Sequence, residues 1–191
     1  MVIRPVWLMQ PIPYFGEKIN GQWLYEPKID GWRMQILRYT NGKVECWGRR
    51  LERKPNWSEK LTRIVKLAND MIPKGMIIDC ELYSSGGRRF IPSLFARKPK
   101  VKPIIYVFDV IVFNSKDVSR LSLRQRKKIL NKLNFKSPFV FLAGKRLVDI
   151  KKSYTQEIKK GSEGIIIKKL NSPYLVGKEA PIATHYWRKV K

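Results

Sequence analysis

Apolar and polar residues alternate most cleanly at 77–83. Ile78, Cys80 and Leu82 fall on one side, and Asp79, Glu81 and Tyr83 on the other. A period of two predicts a strand with one buried face. Similar strand-like runs lie at 22–25, 34–39, 44–47, 76–83, 104–113, 139–142, 164–169 and 185–190. The run at 104–113 is apolar on both faces except at Asp109, the pattern of a strand covered on both sides. Helical spacing predicts helices over 58–71, 123–133 and 149–160, with Ser58 and Ser122 as N-caps. Thr40-Asn41-Gly42-Lys43 is a short turn that implies antiparallel neighbours. The expected organisation is mixed α and β, mostly strands in antiparallel pairing with intervening helices. With no repeat or linker, residues 1–191 read as a single domain.

Composition then narrows the partners. Hydrophobic residues make up 43% of the chain, enough for a globular core, yet 40 Lys+Arg face 15 Asp+Glu for a formal charge of +25. Self-repulsion on that scale is relieved by a polyanion, so nucleic acid is the natural partner. No apolar run approaches membrane-spanning length, and no signal-peptide core opens the chain, so a membrane partner is not expected. Cys46 and Cys80 sit in apolar runs and read as reduced core residues of a cytoplasmic protein. His185 is the sole histidine, which removes zinc sites built on several histidines and most Ser-His-Asp arrangements. Any catalysis falls to lysine and carboxylate.

Lys28 stands out among the lysines. It lies between strand-forming residues and an Asp-Gly turn in Glu26-Pro27-Lys28-Ile29-Asp30-Gly31-Trp32-Arg33. A lysine held in place, with its pKa lowered by burial or neighbouring cations, is a nucleophile. The alternative is a surface lysine beside a hairpin turn. Asp79 and Glu81 share a strand face and repel unless a metal, a lysine or a sugar hydroxyl intervenes; otherwise they form a solvated face. An aromatic from 105–113 stacks on a nucleobase or packs in the core. Glu163-Gly164-Ile165-Ile166-Ile167-Lys168 sets a carboxylate at one end of a buried strand and a lysine at the other. Lys189 and Lys191 share a face, either as a solvated edge or as point charges for a transferring phosphoryl group.

In this order the segments resemble the covalent nucleotidyltransferases, the family of ATP-dependent DNA ligases, RNA ligases and mRNA capping enzymes. The nucleophile motif corresponds to Lys28–Arg33 and the carboxylate motif to Asp79-Cys80-Glu81. The aromatic motif corresponds to Tyr106-Val107-Phe108-Asp109, the Glu-Gly motif to residues 163–168, and the closing Lys-x-Lys to Lys189-Val190-Lys191. Leu121-Ser122-Leu123 leading to Arg126-Lys127-Lys128 is similar to the segment that follows the aromatic motif in DNA ligases.

The resemblance implies that Lys28 attacks the α-phosphate of ATP, releasing pyrophosphate and forming lysyl-AMP. AMP then passes to the 5′-phosphate of nicked duplex DNA, and a 3′-hydroxyl displaces it. Lys189 and Lys191 would act with Lys28 in catalysis. Mg²⁺ or Mn²⁺ would be held by Glu163, with Glu81 contacting ribose and sharing the metal. Phe108 would stack on adenine with Glu26 beside its exocyclic amine. Ile29, Arg33 and Lys168 would complete the nucleotide site. Arg49 or Arg50 would contact ribose or phosphate; Trp47-Gly48-Arg49-Arg50 departs from the usual Ser-Arg, and Arg49 is the one taken. The resemblance further implies an α+β fold of two packed, mainly antiparallel sheets flanked by helices, as a monomer in the prokaryotic cytoplasm or on the nucleoid. The OB-fold that follows Lys-x-Lys in such ligases is expected to be absent from this chain. The alternatives are an RNA ligase or RNA-modifying relative, and a catalytically silent basic binding module.

Overall fold

The computed structural model describes residues 3–191. Eleven strands form among them: β1 (Gln10–Pro13), β2 (Trp23–Pro27), β3 (Trp32–Arg38), β4 (Val44–Gly48), β5 (Met76–Ser84), β6 (Pro103–Phe113), β7 (Lys116–Asp117), β8 (Phe139–Phe141), β9 (Lys145–Arg146), β10 (Ile165–Lys169) and β11 (Ala183–Val190). Three helices accompany them: α1 (Thr62–Met71), α2 (Leu123–Asn131) and α3 (Ile150–Lys159). One sheet runs β1-β11-β10-β2-β9; the other runs β4-β3-β5-β6-β7, with β8 beside β6. Pairing is antiparallel except for β1 on β11 and β8 on β6.

Three apolar layers follow from this arrangement. Leu37, Ile77, Phe108, Ile111, Tyr174 and Trp187 are packed between the sheets. The outer face of the larger sheet is covered by Ile64 and Ala68 of α1, Leu130 of α2, and Ile91 and Leu94 of a 3-10 segment at Arg88–Phe95. Trp23, Tyr25, Ile165 and Ile167 cover the outer face of the smaller sheet, against Ile150 and Tyr154 of α3. The run at 104–113 is apolar on both faces for this reason: β6 has a core on each side.

Two expectations are corrected. Ser58 does not cap α1, which starts four residues later, behind Leu61. The Ser58 hydroxyl instead accepts a hydrogen bond from the backbone N–H of Cys46 at 3.0 Å, tying the segment to β4. Nor is the Asp30-Gly31 turn a hairpin: β2 and β3 lie in different sheets, so the turn carries the chain from one to the other. The capping role of Ser122 holds, with Gln125 completing a capping box. β1 escapes the alternation pattern because two of its four residues are proline, which suits an edge strand.

Candidate active site

The Lys28 turn is positioned by backbone bonds beyond the β2–β10 ladder. Lys28 N donates to the Gly164 carbonyl at 2.9 Å, and Glu163 N donates to the Lys28 carbonyl at 3.3 Å. Gly164 permits this closeness: a Cβ there would stand 2.2 Å from the Val190 carbonyl oxygen of β11. Lys28 Nζ consequently meets the Glu163 carboxylate, whose other oxygen takes Lys191 Nζ. Burial pushes the Glu163 pKa up, but the two ammoniums outweigh it and leave the carboxyl below its usual value. The Lys191 amine is raised in turn by its bond to Glu163.

Gly31 is needed for packing. A Cβ there would lie 2.4 Å from the Leu82 carbonyl oxygen and 2.7 Å from Cγ of Glu81. The Lys28 turn thus rests directly on β5 and brings Glu81 beside it. Burial is the largest influence on Glu81 and pushes its carboxyl up to about 7; Arg33 opposes the rise and Asp79 adds to it. Arg49 is among the charges that oppose the rise at Glu81, and Arg49 and Arg50 both border the same cleft.

The charge separating Asp79 from Glu81 is an arginine. Arg33 lies opposite Glu81 on β3, and its guanidinium reaches along the same face to Asp79 at 3.0 and 2.6 Å, and to the Met9 carbonyl at 2.7 Å. Tyr174 donates to Asp79 at 2.7 Å. Asp79 is wholly buried by these partners, so only Glu81 of the pair faces the cleft.

A bulge shapes the base of the site. Cys80 pairs with Val107 while Asp79 pairs with Asp109, leaving Phe108 as the extra residue. Val107 and Val110 both enter the core under the helices, so Phe108 and Asp109 together point the other way. Phe108 meets Trp187 edge to face at 6.1 Å, and Asp109 forms a fully buried pair with Arg126 at 2.7 Å. Lys168 Nζ lies 4.5 Å from the Phe108 ring centre and 3.9 Å from that of Trp187. It donates to Glu26 at 2.7 Å. Burial is the main cause that lowers the Lys168 pKa to about 8, against the pull of Glu26. Lys127 Nζ holds the other Glu26 oxygen and the Leu142 carbonyl.

These parts line a single cleft of about 830 Å³ between the sheets. All the site residues expected from the sequence border it. Glu26, Phe108 and Lys168 form its floor, with Arg33 and Glu81 on one wall. Lys28, Ile29, Glu163, Lys189 and Lys191 form its mouth, with Arg49 nearby. Sequence reasoning missed Trp187 and Leu142, Lys127 that holds Glu26 from behind the floor, and Arg88, which pairs with Asp30 at the mouth. The Trp187 position was visible as an aromatic on the same strand face as Lys189 and Lys191. The long-range partners carried no local signal.

The cleft belongs to a known class. Residues 9–191 match the family "ATP dependent DNA ligase domain", and the chain belongs to that family. A SPbeta prophage-derived DNA ligase-like protein of Bacillus subtilis is 29% identical over 91% of this chain and 63% of its own length. A DNA ligase of Archaeoglobus fulgidus is 29% identical over 87% of this chain and 31% of its own length. The chain therefore spans between about a third and two-thirds of these relatives. In fold it is similar to mycobacterial DNA ligase D complexed with ATP and MES, with a TM-score of 0.73 and 20% identity over 95% of this chain and 59% of the other. Chlorella virus DNA ligase-adenylate superposes with a TM-score of 0.70 and 17% identity over 97% of this chain and 67% of the other.

Proposed function

We propose that residues 1–191 act as an adenylation domain in which Lys28 carries AMP. The observation that supports this most is the fixing of Lys28. Backbone bonds to Glu163 and Gly164 hold it at the mouth of a cleft that has a nucleobase-sized aromatic floor and a lysine pair above. The Lys28 amine, deprotonated, forms a P–N bond to the α-phosphate of ATP while the bond to the bridging oxygen breaks and pyrophosphate leaves. A nick 5′-phosphate oxygen then takes the AMP from Lys28, and the 3′-hydroxyl displaces AMP to close the phosphodiester. Phe108 supplies a face for the base and Glu81 an acceptor for a ribose hydroxyl. Lys189 and Lys191 supply positive charge to the phosphoryl oxygens.

Among the described residues, no three His, Cys, Asp or Glu side chains come together as a closed metal cage. Mg²⁺ fits this kind of site, because it is normally held by one or two carboxylates plus substrate phosphates. Glu163, with Glu81, would hold it, and its charge would offset that on the phosphates. The arrangement suits nicked duplex DNA as the polyanion that a +25 chain requires.

Incubation with α-labelled ATP and Mg²⁺, followed by a denaturing gel, should leave label on the protein, with little from GTP. Chasing the labelled protein with nicked DNA and nicked RNA should transfer AMP to DNA first. An unlabelled protein would overturn the reading, and preferential transfer to RNA would move it to the RNA ligase branch.

A further inference from the structure

Two consecutive residues of α2 are buried and cationic, yet they face different things. Arg126 spends its bonds on Asp109, the Leu121 carbonyl and the Ser172 carbonyl, none of which borders the cleft. Lys127 bonds one Glu26 oxygen and the Leu142 carbonyl, and both of those residues line the cleft floor. Arg126 therefore ties helix to sheet. Lys127 instead joins two hydrogen-bond acceptors, one from β2 and one from just beyond β8, into a single edge.

That edge has a definite chemistry. Lys168 occupies the second Glu26 oxygen at 2.7 Å, so the carboxylate has an ammonium on each oxygen and offers the cleft only lone pairs. A carboxylate has roughly four lone-pair sites and a carbonyl two, so acceptor capacity remains on both after the lysines are served. Two fixed acceptors side by side match an exocyclic amine, which has two N–H donors. They repel a carbonyl oxygen in the same place.

We propose that Lys127 is a positioning residue for nucleobase selection, gripping Glu26 and the Leu142 carbonyl together so that the floor accepts a base with an amine at that edge. The proposal rests on the nucleotidyl-transfer reading above. A hydrogen bond to a charged group, lost while its partner stays buried, corresponds to about 10- to 150-fold in affinity.

The test compares ATP with purine riboside triphosphate, which lacks only the 6-amino group. Binding is measured by calorimetry on Lys28→Ala protein, so that no covalent product intervenes. ATP should bind about 10- to 150-fold more tightly than the analogue. Adding Lys127→Met should cut that ratio to below about threefold through loss of ATP affinity, with binding of the analogue unchanged. On a Glu26→Gln background the same substitution should change the ratio no further. Equal weakening of both ligands would mark Lys127 as a structural tie only and overturn the proposal, as would an unchanged ratio. Should Lys127→Met fail to fold, Lys127→Gln is read by the same ratio. Failure of Lys28-bearing protein to label with ATP sinks the nucleotidyl-transfer reading itself. Intact labelling with an undiminished ratio sinks the Lys127 assignment alone.

Discussion

The floor and the mouth of the cleft are both built from ion pairs, but of opposite kinds. Behind the floor Asp109 and Arg126 are completely buried, and at the floor itself Lys168 and Glu26 are nearly so. At the mouth Lys191 and Arg88 keep more than half of their side-chain surface exposed while pairing with Glu163 and Asp30. Removing one member of a buried pair leaves a charge without solvent, which costs about 3–5 kcal/mol. Exposed pairs contribute about 0–1 kcal/mol, because water competes and two long side chains must be held still. The floor is therefore committed to one geometry. The mouth can release its partners to a phosphate or a cation at little cost, as the proposed group transfer requires.

The largest expected contrast is in chemistry. Lys28→Ala should abolish covalent labelling, a loss of more than about a thousandfold, while melting temperature and DNA affinity stay near wild type because affinity comes from the whole basic surface. Labelling that survives this change would break the assignment of the mouth as the reacting end. Next comes Arg126→Met, which strands Asp109 and should destabilise the fold by about 3–5 kcal/mol in urea titrations. Adding Asp109→Leu should recover most of that loss. A single mutant as stable as wild type would erase the distinction between floor and mouth.

Glu81 lies on the wall between the two regions, and its effect depends on pH. With the folded carboxyl raised to about 7 from an ordinary 4.5, the unfolded chain gives up this proton first. The contribution is complete below about pH 4.5 and is lost as pH rises through about 7. Glu81→Gln should therefore raise the melting temperature at pH 8 and leave it nearly unchanged at pH 4.5. An equal shift at both pH values would show that burial is not governing this group. The smallest effect belongs to Arg88→Ala, which removes an exposed pair with Asp30. It should change stability by less than about 1 kcal/mol and labelling by less than about threefold. A larger loss of labelling would show that the Asp30 contact holds the nucleophile turn.

The mouth was more legible in the sequence than the floor. Lys28, Glu163, Lys189 and Lys191 sit in short local patterns that stand out by themselves, although Lys28 meets Glu163 across 135 positions. Arg33 reaches Asp79 across 46 positions and Lys127 reaches Glu26 across 101, so no window of sequence joins them. The bulge that turns both Phe108 and Asp109 to the inner face of the larger sheet is likewise invisible to an alternation pattern, because it breaks the period that reveals the strand. β1 was hidden for a related reason: its prolines signal an edge only once its neighbour is known.

The pairing of β1 with β11 has a consequence in time. Gln10 finds its partner at Ala183, so the smaller sheet cannot close until residue 183 has been made. A ribosome-bound chain displaying Lys28, Glu81 and Phe108 still lacks Glu163, Lys189 and Lys191. At roughly 5–20 residues per second, that last stretch follows some seconds behind residue 162. On the reading proposed for Lys28, the nascent chain holds during this interval a reactive lysine without the groups that fix it, so reaction with nucleotide waits on the order of synthesis.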